Sequence, residues 1–253
     1  MCSSDLPGFG DILSANWQEN SNYNAMQARL ERRFASGFTF LASYTYGHSI
    51  DTASRGSGGS WHQNAHSLRT ERGNSDFDVR HRFVVSGLYQ LPFKTPGHAI
   101  VNRFVSGWSV NGILTLQTGN YFSVTVNGDR ANVGGFPFQR ANASCDGNLP
   151  RGERTIDRWY NVSCFSTTTP GTFGNSGRNI IEIPGLNNPD TALIKDTPIR
   201  ESVSLQFRAE FFNFLNHAQF NQPDLSIDNG VTTGQIRSAR DGRISQLALK
   251  LIF

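Results

Sequence analysis

The sequence predicts an all-β chain: an antiparallel up-and-down meander of about seven long strands forming the carboxy-terminal third of a transmembrane β-barrel. Three observations carry this. Segments of roughly ten residues alternate apolar and polar side chains with a period of two, which sorts them onto the two faces of a strand. The connections between these segments alternate strictly between short (35 to 37, 92 to about 104, 198 to 201) and long (49 to 78, 127 to 190, 216 to 241). Finally, the chain closes on Leu247, Leu249, Leu251 and Phe253 with Gln246, Ala248 and Lys250 between them, an apolar alternation ending on an aromatic carboxyl terminus. Taken alone, that last segment could be the final strand of a soluble sandwich; the pattern shared by the other segments shifts the reading towards a barrel.

In chain order, Met26, Ala28 and Leu30 oppose Gln27, Arg29 and Glu31 in a first strand over Tyr23 to Phe34. Ala35-Ser36-Gly37 supplies a tight turn. Phe38, Phe40, Ala42, Tyr44 and Tyr46 then alternate with Thr39, Ser43 and Thr45, with Leu41 the one violation. Residues 49 to 78 lose the period and read as loop. A third strand spans about Val79 to Leu91, with Phe83, Val85 and Tyr89 facing away from Arg82, Ser86 and Gln90, and Pro92 ends it because proline has no N–H for the ladder. The fourth is clear: Trp108, Val110, Leu114 and Leu116 oppose Ser109, Asn111, Thr115 and Gln117, and the alternation predicts continuation past Gly119 through Phe122, Val124 and Val126. After a second irregular stretch come a weak strand near Thr191 to Thr197 and a turn at Pro198 to Glu201. A strong strand follows, with Val203, Leu205, Phe207, Ala209 and Phe211 on one face. The loop 216 to 241 then leads to the terminal strand.

In a meander, consecutive connections lie at opposite ends, so all the long loops share one side. Barrels of the outer membrane show this asymmetry, with short periplasmic turns and long extracellular loops. The carboxy terminus is accordingly expected on the periplasmic side. The strands match the ~9 to 11 residues that cross a tilted bilayer rather than the ~5 to 6 typical of soluble sheets. Seven strands fall short of a bacterial barrel, which takes an even number from eight upward, and open edges in lipid would leave backbone groups unpaired. Further strands are therefore expected upstream, residues 1–22 being a preceding loop and fragment start and 23–253 the barrel part. The amino terminus shows neither the basic nor the apolar region of a signal peptide, which fits a fragment.

Composition narrows the function. Charged residues make up 17% and the formal net charge is +3, with no basic block, so nucleic acid is not an expected partner. No run reaches the ~18 apolar residues of a membrane helix.

Several segments, in order, resemble the barrel of Oar-like TonB-dependent receptors, the type that carries a carboxypeptidase-regulatory-like domain. They are Ser21-Asn22-Tyr23-Asn24-Ala25-Met26-Gln27, Ala42-Ser43-Tyr44-Thr45-Tyr46, Phe77-Asp78-Val79-Arg80-His81-Arg82-Phe83 with Leu91-Pro92-Phe93, and Gly107-Trp108 through Gln117-Thr118-Gly119. Phe173-Gly174-Asn175-Ser176-Gly177-Arg178-Asn179, Phe207-Arg208-Ala209-Glu210-Phe211-Phe212-Asn213-Phe214-Leu215-Asn216-His217 and the terminal strand complete the set. The resemblance implies a plugged barrel of about 22 strands. It implies uptake of a scarce ligand, a glycan, siderophore or similar molecule, through the lumen when the TonB complex pulls on an amino-terminal plug outside this chain. Leu247, Leu249, Leu251 and Phe253 would be the signal read by the barrel-assembly machinery. Outer-membrane lipid and lipopolysaccharide would be its surroundings.

Chemistry-bearing residues are few. Cys145 and Cys164 fall in one loop expected outside the cell, where a disulfide can form; closing it would contribute roughly 3 kcal/mol in the chain-entropy view. Two free thiols are the alternative. Trp61, Trp159 and Tyr160 are candidate contacts for sugar rings or aromatic siderophores. His62 and His66 lie four apart in loop sequence and read as solvated histidines, not as a metal site. Arg80-His81-Arg82 is either paired with Asp76 and Asp78 or turned towards lipopolysaccharide phosphates, and could alternatively draw an anionic ligand into the lumen. No nucleophile elbow, Walker loop or dinucleotide fingerprint is present, so neither an enzyme nor a cofactor is expected. The rival reading is a secreted, soluble β-rich binding or adhesion domain without transport.

Overall fold

The computed structural model describes residues 18–54, 62–64, 67–94, 97, 99–134 and 138–253. Among them seven long strands build one sheet: β1 (Ser21–Ala35), β2 (Phe38–Asp51), β3 (His81–Gln90), β4 (Trp108–Gln117), β5 (Leu186–Arg200), β6 (Val203–Phe212) and β7 (Ile244–Ile252). They are hydrogen-bonded in chain order, each antiparallel to the next, and Gly73–Asn74 adds a short strand beside the end of β2. The shortest, β7, has nine residues. At ~3.3 Å per residue that is about 30 Å of strand, enough to cross a ~25 Å apolar band at a tilt.

The register shows why alternation within each strand becomes a property of the whole sheet. One row runs Leu30, Ala42, Val85, Leu114 across β1 to β4, and the next runs Ala28, Tyr44, Phe83, Leu116. On the far side Val110, Leu193, Ala209 and Leu247 are successive cross-strand partners, and Phe207 pairs Leu249 as Leu205 pairs Leu251. The opposite face collects Gln27, Thr45 and Arg82; Ser109 and Asn111; and Asp196, Gln206 and Lys250. Gln206 Nε2 donates to Asp196 Oδ1 at 2.9 Å along that polar row. A one-residue slip in any strand would mix the two faces, so the pattern and the register specify each other.

Burial inverts the arrangement of a sandwich. Leu247 and Leu249 are 70% and 68% exposed, and Met26, Leu30, Phe34 and Tyr46 are exposed as well. Apart from Ala209 on β6, the buried apolar residues among those described lie in the connections, and Val124, Val126, Ala141, Tyr160, Cys164, Phe165, Ile181 and Leu225 form one cluster.

The turns follow the sequence. Ser36 and Gly37 both have positive φ (54° and 78°), the two-residue hairpin turn whose twist matches its strands. Connections 52–80, 118–185 and 213–243 are the long ones and share one end of the sheet. At the other end, the connection from β3 to β4 holds a helix, α1 (Ala99–Val105), where the sequence suggested only a turn. Gly107 releases it: its φ is 78°, and a Cβ there would lie 2.4 Å from the Asp196 carbonyl oxygen.

Two expectations are corrected. The fourth strand does not continue past Gly119. The chain leaves the sheet after Gln117, and Gly119 passes so close to Ile183 that a Cβ would sit 1.6 Å from its carbonyl oxygen. Tyr121–Phe122 then pairs Ile181–Glu182, and Thr125–Asn127 pairs Phe138–Arg140. Val124 and Val126 are therefore loop-core residues. The weak strand near Thr191 to Thr197 is the fifteen-residue β5, held along both edges, by β4 and by β6.

Candidate functional site

The three long connections fold together into a layer at one end of the sheet. Cys145 and Cys164 are joined by a disulfide inside connection 118–185. Next to it Tyr160 is 0% exposed; its ring meets Phe165 edge-on at 5.8 Å, and its hydroxyl donates to the Asp224 backbone carbonyl at 3.2 Å. Burial, and then the nearby Asp224 carboxylate, push its phenol well above the usual tyrosine range, so it remains a neutral donor. The Asp224 carboxylate accepts from Ser226 N–H, Asn229 Nδ2 and Thr232 Oγ1. Burial alone would raise its pKa; these hydrogen bonds, with Arg237, outweigh that and hold it below the ordinary carboxylate range.

Arginines tie the long connections to one another and to the end of β2. Arg140 Nη1 donates to Glu71 Oε2 at 2.7 Å while its Nε and Nη2 reach the Ser176 and Thr70 carbonyls. Arg178 Nη1 donates to Asp51 Oδ1 at 2.6 Å, at the end of β2. Arg80 Nε donates to Asp78 Oδ2 at 2.7 Å and its guanidinium lies over the Tyr121 ring. Further guanidinium donors reach backbone carbonyls, side-chain oxygens and the His48 ring, which helps such shielded ion pairs to be tolerated. Arg80 is thus committed to Asp78.

A cleft of about 500 Å³ opens where this layer meets the apolar face of the sheet. Tyr44, Phe83 and Leu116, cross-strand neighbours in one row, form its floor. His81 Nδ1 and the Tyr44 hydroxyl are 2.8 Å apart beside it. Arg151, Arg154, Trp159 and Glu182 overhang it from the loops. Arg154 Nη1 donates to Glu182 Oε2 at 3.0 Å, its Nε donates to the Leu149 carbonyl, and it stacks on Trp159, whose indole donates to the Glu182 carbonyl.

An uncovered apolar face, a polar face behind it and a core placed in the loops describe a sheet whose solvent differs on its two sides. The outer membrane beta barrel domain family matches residues 3–246. The chain belongs to that family of outer-membrane β-barrels. No curated protein and no solved structure matches it. In an outer-membrane barrel the row of Leu30, Ala42, Val85 and Leu114 faces lipid, and the row of Gln27, Thr45 and Arg82 faces the lumen. A soluble β-rich domain is displaced as a reading, since it would leave the lipid-facing residues in water.

The barrel sorts the site residues named from sequence. Leu247, Leu249 and Leu251 lie on the lipid face of β7, with Phe253 exposed beyond its end. Tyr160 cannot touch a ligand, because it is the centre of the loop core. Trp159 is half-buried at the rim, on the lipid side and away from the lumen. Trp61 and His66 lie outside the described residues, and His62 Nε2 is 3.0 Å from Glu19 Oε1. Sequence reasoning missed Arg151, Arg154 and Glu182, which meet from separate segments; only the spacing of two arginines three apart hinted at them.

Proposed function

We propose that this barrel domain is the carboxy-terminal part of a TonB-dependent receptor that takes up a scarce ligand, a glycan or siderophore, through a plugged lumen. On this reading the long-loop layer is extracellular and captures ligand, the carboxy terminus is periplasmic, and the TonB complex acts on a plug outside this chain. Leu247, Leu249, Leu251 and Phe253 serve the barrel-assembly machinery. The role is transport and not catalysis.

One observation carries the proposal beyond the resemblance. The lumen face carries an apolar patch at mid-strand on β2 to β4, where Leu41, Val84, Leu88 and Ile113 surround Ser86. Three of them, Leu41, Leu88 and Ile113, line a shallow cleft of about 340 Å³, and Ile113 is 50% exposed. A water-filled pore gives no reason for an apolar patch at that depth, whereas a protein body seated in the barrel does. The open sheet edges of β1 and β7 likewise require strand partners within the membrane.

The test uses the full-length receptor in its native outer membrane with a photo-crosslinking residue at Ile113. The expected result is an intramolecular crosslink to the plug, with uptake from a panel of ferric siderophores and oligosaccharides abolished by a protonophore. Absence of the crosslink, together with open-pore conductance in planar bilayers, would replace the receptor by a porin.

A further inference from the structure

The cleft at the rim opens on the wrong side for transported cargo. Its floor residues Tyr44, Phe83 and Leu116 share the row that continues as the lipid face, so what enters it comes from the membrane and not from the lumen. Its two ends differ in chemistry. The floor is aromatic and aliphatic, while the overhang brings two guanidinium groups against one carboxylate, Glu182. Arg154 is consumed by Glu182, the Leu149 carbonyl and Trp159. Arg151 is not: its closest approach to Glu182 is 3.7 Å, beyond hydrogen-bond length, and its side chain is 75% exposed. An exposed guanidinium fork, only loosely paired with Glu182, beside an apolar strip is matched by an amphiphile with an anionic, bidentate head and an acyl tail. Gly119 and Gly185, beside the cleft, let the two ends of connection 118–185 meet in backbone contact.

We propose that this cleft seats one phosphorylated glycolipid of the outer leaflet, an acyl chain lying on Phe83 and Leu116 and the phosphate held by Arg151. The leaflet assignment rests on the extracellular placement of the long loops. Arg154 and Trp159 position the overhang without needing to touch the lipid. Bound lipid would tie the loop layer to the membrane surface and fix the height of the barrel at that rim.

The experiment places the full-length receptor in phosphatidylethanolamine nanodiscs doped with diphosphoryl lipid A, with dephosphorylated lipid A, or with inorganic phosphate in solution, and reads retained lipid by native mass spectrometry. Diphosphoryl lipid A should be retained, and Arg151→Ala should weaken retention about fivefold, the weight of one basic side chain at a charged lipid surface. Removing the phosphates should weaken it at least as much, and Phe83→Ala should also reduce it, whereas Arg243→Ala, away from the cleft, should not. Equal retention by Arg151→Ala, equal retention of dephosphorylated lipid A, or full competition by inorganic phosphate would overturn the proposal. Each variant is scored only on protein that keeps the heat-modifiable gel shift of a folded barrel, and Arg151→Lys, which keeps the charge, gives an intermediate value if the contact is electrostatic. Labelling of Val231→Cys in intact cells by a membrane-impermeant maleimide reads orientation separately. Protection there would overturn the sidedness, while retention in nanodiscs still judges the cleft.

Discussion

Tyr160 shows how far a residue type can mislead about role. In sequence it stands beside Trp159 in an irregular stretch, where aromatic side chains suggest ligand contact; in the fold it is the most enclosed large side chain of the loop layer. Nothing local distinguishes the two, since its neighbours Phe165 and Leu225 arrive from further along the chain. Tyr160→Ala should cost the loop layer about 3–5 kcal/mol through the cavity it leaves. Tyr160→Phe, which loses only the hydrogen bond to Asp224, should cost about 1 kcal/mol. Hydrogen exchange in residues 118–185 would measure both, with no change expected in β1 or β2. Asp224 gives the layer a pH dependence. Its pKa is lower folded than unfolded, so its contribution is fully present above the unfolded value of about 3.9 and is lost as pH falls through the lower folded value. Exchange in residues 224–234 should therefore rise below about pH 4, and Asp224→Asn should remove that acid-dependent step.

At the scale of the element, the strands were legible because a period of two is a local signal and lipid requires it on one face only. What stayed hidden was whatever depended on distant partners. Asn187, Asn188 and Pro189 read as loop, yet they pair Leu116, Thr115 and Leu114 along β4. Pro189 needs no N–H there, because its carbonyl is the group in use, accepting from Phe214 N–H at 2.7 Å. The alternation Phe122, Val124, Val126 was real, but it belongs to short strands that pair within the loop layer. The rim cleft was invisible for the same reason: its floor and its arginines come from four separate stretches. The two faces of β4 make a direct prediction. Leu114→Arg, at mid-strand on the lipid face, should destabilise the barrel by about 2–4 kcal/mol, whereas Thr115→Arg on the lumen face should be near neutral. Urea titration of the full-length barrel in lipid vesicles measures the difference, and equal penalties would mean the faces are not solvated differently.

The molecule as a whole is organised by one division: hydrocarbon on the side of Leu30, Leu114 and Leu249, water on the side of Gln27, Thr115 and Gln206, and a packed core in the loops. Transport and the lipid site both depend on that division. Site-directed spin labels stepped through residues 108–117 in the vesicle-embedded full-length protein test it most directly. Collision with oxygen, which concentrates in lipid, should peak at positions 108, 110, 114 and 116, and collision with a water-soluble nickel chelate should peak at 109, 111, 115 and 117. Profiles without a two-residue period, or with the two phases exchanged, would contradict the assignment of faces.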